Sequence, residues 1–254
     1  MSIAFFDIDG TLAIGRDVPE SAAEAIAQMR ARGHRVFICT GRPRSYAEKN
    51  FGQFADGFVC NNGRFAFMGD RVLHERALTE EELRSFVSTL DDCEAGYAFL
   101  EQWRVVYGGP SDYQAIAEEV WSPLPVTLGV DPLTLRAYNF DIYFKDAAHR
   151  ERITEALRDT CLVNPHGPHP SADVTVLGCD KGDAIKNVAA TLGVSQDDVF
   201  AFGDGVNDQP MLRAAGHGVA MGNAVDELKA IADYVTTDID KDGIKNALAH
   251  YGLI

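Results

Sequence analysis

The sequence predicts an α/β fold in which a parallel sheet interleaved with helices is interrupted by an inserted α+β unit. Three observations predict it. Short apolar runs at Ile3–Phe6, Arg35–Cys39, Phe58–Cys60 and Asp198–Phe202 read as strands buried on both faces. Helical patterns lie between them, as the crossovers of a parallel sheet require. Between about Leu78 and Ala172 that rhythm gives way to paired strands and separate helices.

Taken in order, the first strand ends at Asp7-Ile8-Asp9-Gly10-Thr11. An amphipathic helix from Ser21 to Arg32 follows, and Gly33 closes it. The second strand, Arg35–Cys39, ends in Thr40-Gly41-Arg42-Pro43, where Pro43 suits the opening of another helix. The third strand stops at Asn61-Asn62-Gly63. Phe65–Met68 and Arg71–Glu75 flank Gly69-Asp70 as a hairpin. In the insertion, Thr79 and Glu82 form a capping box for a helix to about Leu90. Tyr97–Leu100 and Trp103–Tyr107 read as paired strands. Ser111 opens a helix to Trp121, which Ser122-Pro123-Leu124-Pro125 breaks. A strand over 135–144, a helix over 147–160, a loop over 164–170 and a strand over 173–177 complete this region. The last third returns to the α/β pattern. It has a helix over 181–192, a strand ending at Phe202, a short helix over 211–215, a strand over 218–221, a helix over 224–232, a short strand at Tyr234-Val235 and a closing helix over 244–250. The expected division is therefore residues 1–77 with 173–254 as one α/β core, and residues 78–172 as the inserted domain.

Composition limits the function classes. The 254 residues carry 38 acidic and 23 basic side chains, a net charge of −15. That balance argues against nucleic acid, whose phosphate backbone requires a basic face. No stretch is apolar enough to cross a membrane, and no leader precedes the first strand, so a cytoplasmic location is expected. The five cysteines are dispersed, without a C-x-x-C pair, as expected of reduced thiols.

The chemistry-bearing residues gather at strand ends. Asp7 and Asp9 are two apart and in extended chain would share a side. Two like charges at the end of a buried strand are tolerated when something neutralises them, most simply a divalent cation. Thr40 ends the second strand, Lys181 opens a helix, and Gly203-Asp204-Gly205-Val206-Asn207-Asp208 follows the strand at 198–202. In an open parallel sheet such termini lie at one edge, where ligand sites form.

Asp7-Ile8-Asp9-Gly10-Thr11 resembles the first motif of the haloacid dehalogenase-like superfamily of phosphohydrolases. Thr40-Gly41-Arg42 resembles its second motif, Lys181 within Cys179-Asp180-Lys181-Gly182 its third, and Gly203–Asp208 its fourth. The insertion between the second and third motifs, with Asn62-Gly63 and the hairpin after it, is similar to the Cof-type, or IIB, branch with its C2 cap. The resemblance implies a Rossmann-like core under a cap, Mg²⁺ as cofactor, and Asp7, Asp9, Asp204 and Asp208 around it. It implies Asp7 as nucleophile, Asp9 as acid and base, and Thr40 and Lys181 holding the phosphoryl group. Gly10, Thr11, Gly41, Arg42, Asn62 and Asn207 are the further substrate-binding candidates. Trp103, Arg136, Tyr138, His166 and His169 are candidates in the insertion. The implied partner is a small phosphorylated metabolite, most simply a sugar phosphate, handled by a monomer or weak homo-oligomer. A phosphomutase or phosphotransferase using the same aspartyl-phosphate, and a non-catalytic regulatory module on the same fold, are the alternatives.

Overall fold

The computed structural model describes residues 1–122 and 124–254. The chain divides into two compact units, residues 1–75 with 179–254 and residues 76–178.

The first unit begins with β1 (Ile3–Phe6), α1 (Glu20–Ala31), β2 (Arg35–Cys39), α2 (Arg44–Phe51), β3 (Gly57–Cys60), β4 (Phe65–Met68) and β5 (Arg71–Glu75). The second unit holds α3 (Glu80–Asp92), β6 (Gly96–Leu100), β7 (Val105–Gly108), α4 (Gln114–Trp121), β8 (Val126–Thr127), β9 (Asn139–Tyr143), α5 (Ala147–Leu157), β10 (Cys161–Pro165) and β11 (Ser171–Val176). The chain then rejoins the first unit with α6 (Lys181–Leu192), β12 (Val199–Gly203), α7 (Gln209–Ala214), β13 (His217–Ala220), α8 (Asp226–Lys229), β14 (Tyr234–Val235) and α9 (Gly243–His250).

In the first unit the strand order is β14-β13-β12-β1-β2-β3-β4-β5. The pairs from β14 through β3 are parallel, and β4 and β5 add an antiparallel edge. β1 sits at the centre and is wholly buried, which is why its four residues are apolar without alternation. Its register sets Phe6 beside Phe202 of β12 and Ile38 of β2. The residues just past these strands therefore start from one edge.

In the second unit a six-stranded sheet runs β10-β11-β9-β6-β7-β8. One core packs Phe99, Phe140, Ile142 and Val174 with Leu83, Phe86 and Leu90 of α3 and Ile153 and Leu157 of α5. A smaller cluster joins Ala98, Tyr107 and Tyr143 to Ala117 and Trp121 of α4. Thr79 and Glu82 form the expected capping box on α3.

Several expectations shift. Residues 173–177, expected in the α/β core, lie within a strand that pairs antiparallel with β9 and β10, so the second unit runs on to Gly178. The expected loop over 164–170 begins later, because β10 continues through Pro165. Its Asn164 amide bonds Asp173 and Thr175, and edge position tolerates a proline. Only Asn139–Tyr143 of the stretch 135–144 is strand; Pro132–Thr134 forms a 3₁₀ turn that delays it. The helix expected over 224–232 shortens to Asp226–Lys229. Of the proline-rich break after α4, Pro123 lies outside the described residues. None of the five cysteines forms a disulfide, and all five are buried. Among the described residues no helix is long and apolar enough to cross a membrane.

Candidate functional site

Asp7 and Asp204 are brought together by strand register. β1 and β12 are parallel neighbours, and the Asp7 N–H extends the ladder by one bond, donating to Phe202 O at 3.0 Å. The chain must then turn, and Gly10 makes that possible at φ +85°. A Cβ there would lie 2.2 Å from Asp204 Oδ2, so this backbone approaches the carboxylate as only glycine can. Thr11 is fully buried and donates its hydroxyl to Asp204 Oδ1 at 3.0 Å. The Thr11 side chain thus orients the Asp204 carboxylate.

Lys181 is the first residue of α6 and is 1% exposed. A helix N-terminus disfavours an ammonium. Two carboxylates offset that: Lys181 Nζ donates to Asp7 Oδ1 and to Asp208 Oδ1, each at 2.6 Å. Asp208 is fully buried, and its other oxygen accepts the N–H groups of Asp204 and Gly205 at 3.0 Å each. One side chain therefore fixes both the lysine and the loop that presents Asp204.

The electrostatics follow from this crowding. Burial, then the charge of Asp208, raise the Asp7 carboxyl to about 8 despite the neighbouring Lys181. Burial and Asp208 likewise raise Asp204 to about 6. Burial acts to lower Lys181, but Asp208 and Asp7 outweigh it and hold the lysine above its ordinary value, as an ammonium. Three carboxylates against one ammonium leave an excess of negative charge. Asp7, Asp204 and Asp208 each offer an oxygen, all within 4.8 Å of one another. A hard, oxygen-preferring divalent cation fits that donor set.

Asp9 is not one of these three carboxylates, although its charge also acts on Asp204. β1 has ended by Phe6, so strand alternation no longer governs where it goes. Its side chain is 51% exposed, and Oδ2 accepts from Arg42 Nε at 3.4 Å. The Arg42 guanidinium also lies 5.2 Å from the Tyr46 ring centre. Thr40 is buried, and its Oγ1 accepts the Arg42 N–H at 3.1 Å, leaving the hydroxyl proton to donate. Gly41 faces the Asn62 amide closely, and Asn62, at φ +52°, donates its N–H to Thr40 O. Asn207 is exposed on the loop before Asp208.

Two residues escaped the sequence reading. Asn223 spans two loops, donating to Gly10 O at 2.8 Å and accepting from Ile239 N–H at 2.9 Å. Its position one residue after Gly222, past a strand end, was the available signal. Asn61 is fully buried with both amide atoms outside any hydrogen bond, and it adopts φ +52°. Two asparagines in succession after a strand were the sign of special backbone there. In the second unit, Trp103, Arg136 and Tyr138 line a hollow of about 540 Å³ with Glu101, Gln102 and Arg104. His166 and His169 both reach the Ser171 hydroxyl, and His166 pairs with Asp173.

A family model described as haloacid dehalogenase-like hydrolase matches residues 4–248. The chain belongs to that family. This hydrolase is 32% identical over 255 residues to YkrA of Bacillus subtilis (strain 168), which is named provisionally as a phosphatase; the match covers 99% of this chain and 98% of YkrA. It is 27% identical to the pyridoxal phosphate phosphatase YbhA of Escherichia coli (strain K12), over 94% of both chains. Its fold matches the solved subclass IIB sugar phosphatase BT4131 with a TM-score of 0.83 and 30% identity, over the full length of both. The Rossmann-like core with an inserted unit, expected from the motifs, is the architecture of that group.

Proposed function

We propose that this hydrolase is a Mg²⁺-dependent phosphatase of small phosphorylated metabolites, sugar phosphates foremost, acting through an aspartyl-phosphate on Asp7. The observation that carries the proposal is the junction at Lys181, whose ammonium binds Asp7 and Asp208 while Asp204 stands in the same carboxylate group. Residues from three distant segments have no structural need to bury such charge together.

Asp7, the Asp9 backbone carbonyl and Asp204 would hold the cation, with Asp208 beside them. The bound cation would neutralise the carboxylates and the phosphate, so that one anion can approach another. Asp7 attacks phosphorus with the carboxylate oxygen turned away from Lys181 and forms the acyl phosphate. Lys181 and the Thr40 hydroxyl donate to the phosphoryl oxygens as their charge changes. Asp9, on the exposed side and protonated first, gives its proton to the leaving alcohol and, as the carboxylate so formed, takes one from the attacking water. Arg42 keeps the Asp9 carboxylate in place until substrate arrives. The inserted unit is assigned the role of the cap that selects the leaving group.

The test is hydrolysis of a generic aryl phosphate and of a panel of sugar phosphates, nucleotides and pyridoxal phosphate, with and without Mg²⁺. Metal-dependent release of phosphate, abolished in Asp7→Asn, is the expected result. Isomerised sugar phosphate without free phosphate would indicate a mutase, and inertness towards every substrate would indicate a binding module.

A further inference from the structure

One hollow is lined by residues of the second unit alone. β6 and β7 end with Leu100 beside Val105, and the Glu101 N–H donates to Arg104 O at 3.0 Å across the turn between them. Gln102 and Trp103 stand at the tip of that turn, and Trp103 is 59% exposed. Glu101 to Arg104, with Arg136 and Tyr138, enclose about 540 Å³. That lies within the usual range of small-molecule sites, about 300–1,000 Å³. The other tryptophan, Trp121, is buried and donates its indole N–H to the Tyr143 hydroxyl at 3.2 Å. We propose that this hollow seats the leaving group of a second substrate class, phosphate monoesters that end in a planar, oxo-substituted heteroaromatic ring.

The chemistry of the lining selects the ring. The Trp103 indole offers a flat apolar face, which a planar π-system covers more completely than a puckered sugar does. Around it, donors outnumber acceptors. Arg104 and Arg136 bring two guanidinium groups, which donate and never accept. The Glu101 carboxylate is already engaged: Oε2 accepts from Arg104 Nε, and Oε1 accepts the Arg136 N–H at 2.9 Å. Every hydroxyl of a polyol has a proton to donate, so a sugar asks for acceptors that this lining does not supply in number. An oxo oxygen only accepts. The Gln102 amide nitrogen donates to the Tyr138 hydroxyl at 2.9 Å, and its Oε1 supplies the acceptor that a ring N–H requires. A lactam edge, where an oxo oxygen adjoins a ring N–H, answers both kinds of group.

The fold holds this seat in shape. Tyr138 is fully buried, and its N–H donates to Leu100 O at 2.9 Å, which ties the segment before β9 to the end of β6. Glu101 joins the same two segments through its contacts with Arg104 and Arg136. Trp103, Arg104 and Arg136 are exposed on this braced backbone, while Glu101 and Gln102 are half-buried. In a chain of net charge −15, the hollow carries two guanidinium groups against one carboxylate. That local excess of positive charge draws electron-rich oxo oxygens. Stacking on one aromatic side chain strengthens binding of a flat ring about tenfold.

The role in turnover rests on the phosphatase reading; recognition of the ring does not. The two indole N–H signals of the full-length, nitrogen-15-labelled protein are followed by NMR as uridine, which needs no phosphate site, is added at millimolar concentrations. The signal missing from Trp103→Leu identifies Trp103. That signal is expected to move saturably with uridine while the Trp121 signal stays in place, and methyl glucoside should move neither. In turnover, kcat/KM for uridine 5′-monophosphate relative to glucose 6-phosphate is expected to fall about tenfold in Trp103→Leu and to be largely retained in Trp103→Phe. A Trp103 signal indifferent to uridine, one that answers methyl glucoside equally, or a substrate ratio unchanged in Trp103→Leu would each overturn the proposal. A protein that hydrolyses no phosphate ester while its Trp103 signal still answers uridine would overturn the phosphatase reading instead and leave the ring-binding hollow standing.

Discussion

The Lys181 ammonium sits 2.6 Å from the Asp7 carboxylate although 174 residues separate them in sequence. This contact joins the first strand of the molecule to a helix that begins after the whole inserted unit. It places a permanent positive charge against the proposed nucleophile. Lys181→Met should therefore lower kcat/KM by about 10²–10³, the usual loss for one buried donor to a developing anion. Steady-state kinetics on an aryl phosphate checks it, with circular dichroism to establish that the sheet remains.

Asp208 has a different expected signature. Both its oxygens are engaged, one by Lys181 and the other by two backbone N–H groups. Asp208→Ala removes one partner of a buried ion pair and leaves the Asp204 loop unheld. The expected loss is about 3–5 kcal/mol of stability. Thermal denaturation reads that loss, and a weaker Mg²⁺ response in the surviving folded protein shows that the loop has lost its aim.

Gly10 offers a test of close packing. At φ +85°, with Asp204 Oδ2 where a Cβ would be, Gly10→Ala meets both backbone strain and a clash with a proposed metal ligand. The backbone term alone is about 1–2 kcal/mol. The expected result is a modest fall in melting temperature with a much larger fall in Mg²⁺-dependent activity. Equal losses in both would mean that the carboxylate moves aside freely.

The raised carboxyls set a pH dependence. Asp7 moves from its ordinary 3.8 to about 8 and Asp204 to about 6, so the folded, metal-free chain holds protons that the unfolded chain releases. Stability then falls as pH rises through that window and is greatest at its acid end. Bound Mg²⁺ should flatten or invert the slope, because it favours the ionised carboxylates. Melting temperatures between pH 5 and pH 8 with EDTA and with Mg²⁺ check this. A metal-free protein that gains stability with rising pH over this range would contradict the charge balance described for the cluster.

The sheet and the principal acids could be read from sequence because both leave short-range marks. An all-apolar strand such as Ile3–Phe6 is legible without its neighbours, and Asp7, Asp204 and Lys181 each stand at a strand end or helix start. What could not be read depends on contacts made across the fold. Nothing local to Thr11 says that Asp204 takes its hydroxyl. Residues 173–177 looked like a return to the core; only pairing with β9 assigns them to the insertion. Asp9 was expected on the same side as Asp7, but strand periodicity ends with β1 three residues before it, and its side chain meets Arg42. Asn223 was passed over because its two partners, Gly10 and Ile239, lie in loops remote from it in sequence.

Gly63 adopts φ +101°, a Cβ on it would stand 2.1 Å from Asp180 O, and this contact bears on how such a molecule can change. The hairpin that leads out of the first unit and the helix that leads back into it are fastened to each other within that unit, by this contact and by packing of β5 on α6. Whatever is spliced between Glu75 and Cys179 inherits two anchored ends. Evolution can exchange, enlarge or prune that segment while the acids and the lysine keep their places, so new specificities can be grafted onto an old catalyst without rebuilding it.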